Sequence, residues 1–323
     1  MSSFNSTSVV VNKLVVIGIG LIGGSLATGL KKRGACTEVI GIARSEQTCI
    51  DAVNLNVVDR AYTSLKTIAA ELTAGDVIFI SVPTLSVKTV LQEIKSCVSA
   101  DVTITDGASV KGNVQTAAED VFGAVPAQFV LGHPIAGSEK SGVTAANPDL
   151  YANHRCILTP LATTGAAHLD LITRMWQAVG AEVLTMSVED HDEVLGATSH
   201  LPHVIAYSLV DTLAHDIDNP NIFRYAAGGF RDFTRIASSD PIMWHDIMRA
   251  NKTGVLHALD LFIANLTRLR TSIETENSQY MLDVFTSAKN VRDEFTANLT
   301  KPNVFDATMS DTTALDKNAA KKD

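Results

Sequence analysis

His133 lies between Gly132 and Pro134 and is followed by Gly137, Ser138 and Glu139. An imidazole titrates near neutral pH, so a histidine held in a rigid turn at a strand end could take a proton from a hydroxyl group. His200 and His203 bracket Pro202 inside an apolar stretch, where two imidazoles need polar partners. Their spacing could also suit a metal, but no HExxH and no second ligand cluster accompanies them, so metal is discounted. Arg231 and Arg235 follow the pair Gly228-Gly229, and a guanidinium fork can grip a carboxylate with two bonds. The competing reading for Arg231 is a salt bridge to a neighbouring acid. Ser109 and Lys111 follow the apolar run ending in Thr105-Asp106, where they would face a ligand crevice; Ser109 could instead serve as a helix N-cap.

The most recognisable spacing is Gly18, Gly20 and Gly23, with Leu21 and Ile22 inside it. This GxGxxG follows an apolar strand and opens a helical stretch. The first glycine permits the turn, the second lets a pyrophosphate approach the backbone, and the third lets helix and strand pack closely. The helix N-terminus then offers free N–H groups to phosphate. Val82 and Pro83, at the end of another apolar run, face the same edge. An acid at the end of the second strand would accept a ribose 2′-hydroxyl, but Ala43 stands there. Arg44 follows at once and Ser45 next, a pair suited to a 2′-phosphate, so NADP is favoured over NAD. The alternative leaves Arg44 solvated and gives the ribose to Glu46.

Elements must position these groups. Strand-like runs are expected at Leu14–Ile17, Val39–Ile42, Asp76–Pro83, Val102–Asp106, Phe129–Leu131, Cys156–Thr159 and Val183–Met186, with helices such as Leu21–Lys32, Val87–Cys97 and Leu169–Val179 between them. That alternation predicts an α/β Rossmann-like, doubly wound parallel sheet. After Val188 strand signals vanish and an all-α domain is expected, its stretch Val194–Leu213 interrupted by Pro202. Val255, Leu259, Phe262, Leu266, Leu269 and Ile273 form one helical seam, and Met281 to Phe295 a second. Such a seam serves either a bundle core within the chain or a dimer interface. The expected division is a flexible stretch 1–12, a dinucleotide-binding domain 13–187, a helical substrate and dimerisation domain 188–300, and a polar, disordered tail 301–323.

The chain has 323 residues and a net charge of −9, which argues against a partner recognised by its phosphate backbone, so no nucleic acid is expected. No run reads as a membrane span. Four dispersed cysteines and the lack of a leader pattern point to the cytoplasm.

Taken in order, GxGxxGGS, TDGASVKG, GHPIAGSEKSG, SHLPH, GGFRDFTR and SDPIMW resemble the prephenate/arogenate dehydrogenase family of tyrosine biosynthesis, from about Leu14 to Phe295. The resemblance implies NAD(P)-dependent oxidative decarboxylation of prephenate, or of arogenate, by a homodimer. It implies His133 as the catalytic histidine and Ser109 as the serine bonded to it near the nicotinamide. It places His200, His203 and Arg235 against the substrate, with Arg235 on a carboxylate and Glu139 and Trp244 near the entrance. Arg231 stands where some members have Lys. Two other readings remain open: a dehydrogenase of the β-hydroxyacid type, and a non-catalytic NADP sensor.

Overall fold

The computed structural model describes residues 9–138, 140–215 and 221–299. Glu139 and the expected tail lie outside the described residues. The chain opens with β1 (Val11–Ile17), α1 (Leu21–Lys32), β2 (Cys36–Ile42), α2 (Glu46–Asn54), β3 (Arg60–Tyr62), β4 (Val77–Ile80), α3 (Val87–Cys97), β5 (Thr103–Asp106), α4 (Lys111–Phe122) and β6 (Phe129–Val130). The six strands form one parallel sheet in the order β3-β2-β1-β4-β5-β6. Alternate residues of each strand enter opposite cores. Leu14, Val16, Val39, Val77 and Phe79 pack with Leu26 and Leu30 of α1. Val15, Ile17, Ile40, Ile78 and Ile80 pack with Leu91 of α3 and Val114 of α4. Burial of both sheet faces is what the nearly unbroken apolar runs encode.

The single parallel sheet expected from sequence ends at β6. After Leu131 the chain continues as β7 (Gly132–Ile135), then β8 (Arg155–Leu158), α5 (Ala166–Ala178) and β9 (Glu182–Thr185). These strands make a second sheet, β7-β8-β9, in which β7 runs antiparallel to β8. His133 is therefore on a strand and not in the turn expected for it. Pro134 is tolerated because β7 is an edge strand, where a missing N–H costs no ladder bond. The short β3 carried no sequence signal, being three half-buried residues, Arg-Ala-Tyr.

The helical half begins with α6 (Val188–Leu195), a π-helical turn at Gly196–His200, and α7 (Leu201–Ala214). The interruption expected at Pro202 takes this form: the wide turn precedes the proline, which sits in the first turn of α7, where its missing N–H is harmless. Then come α8 (Gly228–Thr234), α9 (Pro241–Ala250), α10 (Lys252–Glu274) and α11 (Ser278–Leu299). The chain divides into two compact units, with the boundary inside α10 after Leu259. In the second unit Leu266, Ile273, Phe285, Val291 and Phe295 are exposed. No helix among the described residues is long and apolar enough to cross a membrane.

Candidate active site

The glycine turn is built from backbone. Gly18 has φ +96°, and a Cβ there would lie 2.6 Å from Ser81 O. At Gly23 a Cβ would lie 2.3 Å from Ser81 Oγ and 2.4 Å from Gly18 O. Gly20 differs: nothing lies within 4 Å of its added Cβ, so this edge of the turn is open. Gly20 also caps α1 with no side-chain bond, so side chains leave the helix N-terminus free for an anion. The residues present thus fit a dinucleotide pyrophosphate. Ser81, which the sequence reading missed, braces the turn by donating from Oγ to Gly18 O at 2.7 Å. Leu21 and Ile22 are half-buried, and Tyr151 donates its hydroxyl to Ile22 O at 2.6 Å.

Ser45 caps α2, accepting from the Thr48 amide at 3.2 Å. Arg44, one residue before it, is exposed and has no ion-pair partner among the described residues. Val82 is half-buried and Pro83 exposed, just after β4.

Lys111 is not the ligand-facing residue expected. It is fully buried, and its ammonium donates to Asp106 Oδ2 and to Gly132 O. Asp106 also accepts from the Ala108 and Gly132 amides. An unpaired buried charge is costly, so this cation is committed to tying β5 to the start of β7, one residue before His133.

His133 is buried, 9% exposed. Its Nδ1 lies 2.9 Å from His191 Nε2, and His191 Nδ1 lies 2.8 Å from Asp192 Oδ1. A carboxylate only accepts, so His191 donates from Nδ1 and its Nε2 carries a lone pair. His133 therefore donates from Nδ1, which leaves its Nε2 as the open acceptor, with no partner among the described residues. The bond to Ser109 implied by the resemblance is not made; Ser109 is half-buried with no hydrogen bond to a described residue. Nor is Ser109 an N-cap, since α4 starts two residues later. The first amides of α4 are satisfied instead by Asp192, which accepts from Lys111 N and Gly112 N, each at 2.8 Å.

Burial, and then the neighbouring His191, Lys111 and His200, push His133 well below the usual histidine pKa. Burial would raise Asp192, but the bonds from His191 and the two amides hold it below the usual carboxylate range. His200 is pushed down to about 4, chiefly by burial. Its Nδ1 lies 3.1 Å from Asn251 Nδ2, which also donates to Asp192 O at 2.7 Å. His200 thus accepts at Nδ1 and carries its proton on Nε2.

His203 stacks on Trp244 with ring centroids 3.4 Å apart and bonds Ser199 O through Nδ1 at 2.9 Å. Burial and then the nearby Arg235 charge lower its pKa. Trp244 is buried, its indole N–H without a partner among the described residues. Arg235 is exposed. Arg231 is exposed and paired with Asp232 at 3.3 Å, the salt bridge that the sequence left as the competing reading.

His191, Asp192 and Asn251 escaped the sequence reading. Val188, His191 and Leu195 are the buried positions of α6, so a histidine on an apolar helical stripe was the available signal.

Comparison with known proteins matches residues 26–185 to the nucleotide-binding domain of prephenate dehydrogenase and residues 187–287 to its dimerization domain. This chain belongs to the prephenate dehydrogenase family. It is 38% identical to prephenate dehydrogenase of Bacillus subtilis over 87% of its length and 75% of the relative's. It is 36% identical to cyclohexadienyl dehydrogenase of Zymomonas mobilis over 86% of its length and 94% of that protein's. The crystal structure of Aquifex aeolicus prephenate dehydrogenase with hydroxyphenyl propionate and NAD+ superposes with a TM-score of 0.82 at 37% identity, covering 88% of this chain and 98% of that one.

Proposed function

We propose that this family member oxidatively decarboxylates prephenate, or arogenate, using a nicotinamide dinucleotide, with His133 as its base. The observation that carries this is the imidazole of His133, fixed at Nδ1 and open at Nε2. The substrate's ring hydroxyl donates its proton to Nε2 while the carbon bearing it loses hydride. A nicotinamide held by the glycine turn would supply the acceptor for that hydride. The ring carboxylate then leaves as CO2, and the electrons of the broken bond complete an aromatic ring. The resulting phenolate recovers the proton from His133. Burial favours the neutral imidazole of His133, the form that can accept a proton. Arg235 holds a substrate carboxylate, and His200, His203 and Trp244 line the same pocket.

The backbone of Gly18, Gly20, Leu21, Ile22 and Gly23 holds the pyrophosphate, with Val82, Pro83 and Ser109 toward the nicotinamide. Arg44 supports NADP over NAD: its guanidinium has no ion-pair partner among the described residues and follows Ala43, where an acid would bind a plain ribose. The apolar residues exposed on α10 and α11 support a homodimer formed through them.

The test is to mix the full chain with prephenate or arogenate and either cofactor, and to follow reduced nicotinamide. Turnover with at least one substrate, and a kcat/KM higher with NADP+, is expected. Cofactor binding without turnover would leave a sensor. A higher kcat/KM with NAD+ would remove Arg44 from its role.

A further inference from the structure

We propose that His191 and Asp192 are positioning residues that fix the proton of His133 on Nδ1 and so hold Nε2 bare for the substrate hydroxyl. The inference rests on His133 being the base of the proposed reaction. A free neutral imidazole exchanges between two tautomers, and the one with its proton on Nε2 would point a donor at the substrate and have no lone pair to offer it. The chain removes that choice through a directed series of bonds. Asp192 can only accept, so His191 must donate from Nδ1 and accept at Nε2. His133 must then donate from Nδ1.

The end of the series is held by several hydrogen bonds. Asp192 Oδ1 takes the Lys111 amide as well as His191, and Oδ2 takes the Gly112 amide. Its carbonyl is held by Asn251. Two glycines make room for this anchoring. A Cβ on Gly112 would lie 2.9 Å from Asp192 Oδ2, and one on Gly254 would lie 2.7 Å from Asp192 O. The N-terminus of α4 adds a partial positive charge that favours the ionised carboxylate. When His133 takes the substrate's proton, the imidazolium already faces a lone pair backed by a carboxylate, so the transition state meets a fixed acceptor. Besides His191, the charged or titratable groups acting on His133 are Lys111 of α4, which is paired with Asp106 of β5, and His200 of the π turn; the Cys156 thiol of β8 meets only the His133 backbone. None of them bonds its imidazole.

The experiment reads the tautomer directly. Nitrogen-15 spectra of histidine-labelled protein are recorded without substrate, with the His133 signals assigned by their loss in His133→Asn. The expected wild-type pattern is a protonated Nδ1 and a bare Nε2. In His191→Leu, Nε2 should gain the proton, and kcat should fall by about 10-fold or more with KM within about twofold, since a base contributes some 10²–10⁴-fold. His191→Gln, which returns an acceptor near the place of Nε2, should restore both the tautomer and most of kcat. A wild-type His133 protonated on Nε2 would overturn the proposal, whether or not the variants fold. So would a His191→Leu enzyme with unchanged tautomer and kcat. If the protein has no dehydrogenase activity at all, the reaction assignment fails while the spectra still decide the positioning.

Discussion

The two halves of the site are built in opposite ways. The cofactor cradle is backbone, three glycines and the bare end of α1, with a single side-chain brace from Ser81 Oγ. The imidazole cluster is side chain, with His133 from β7, His191 and Asp192 from α6, and Asn251 from just before α10. A backbone site needs local absences, such as a missing Cβ or an uncapped helix end, and those are written within six consecutive residues. A side-chain relay needs atoms from segments 58 and 59 residues apart to meet within 3 Å. Packing alone delivers that.

Variants can break this contrast. The largest effect belongs to the side-chain half. His133→Asn should lower kcat by about 10²–10⁴-fold and leave KM within a few-fold, because a base acts in the transition state. Steady-state kinetics with both substrates checks this. Next is the buried ion pair beneath it. Asp106→Ala strands the Lys111 ammonium and should cost about 3–5 kcal/mol of stability by urea unfolding. Arg235→Ala should raise KM by about 10–100-fold, the worth of a charge-assisted bond, with a smaller change in kcat. The cradle separates into two classes. Gly23→Ala drives a methyl into Ser81 and should lose about 1–3 kcal/mol, seen as a lower Tm. Gly20→Ala meets open space and should leave Tm alone while raising the cofactor KM. The smallest effect is a shift in pH. His133 must be neutral to act, and its pKa is depressed, so kcat/KM should hold as pH falls below the ordinary histidine value of about 6.5 and drop only further down.

Much of the fold was legible because each strand of the large sheet is buried on both faces, and the apolar runs say so. The glycine turn was legible for the local reason given above. The switch to the second sheet at Leu131 was not, because only Leu131 separates β6 from β7 and Gly132-His133-Pro134 reads as a turn, not as a strand with a new partner. His133 was found but misjudged as turn-held. Lys111 looked like a ligand contact because sequence gives no hint that a lysine is fully enclosed beside Asp106. Asp192 was hidden in a charged stretch, Glu189 to Glu193, where four carboxylates look alike. Only one of them reaches the amides of α4.

The central claim is that His133 takes the proton of the ring hydroxyl in a reaction that couples hydride loss to decarboxylation. The most direct test is to count CO2 released per reduced nicotinamide formed, in wild-type protein and in His133→Asn. The account predicts one CO2 for each nicotinamide reduced by the wild type, and both products falling together in the variant. Reduced nicotinamide without CO2, or a His133→Asn enzyme turning over at the wild-type rate, would contradict it.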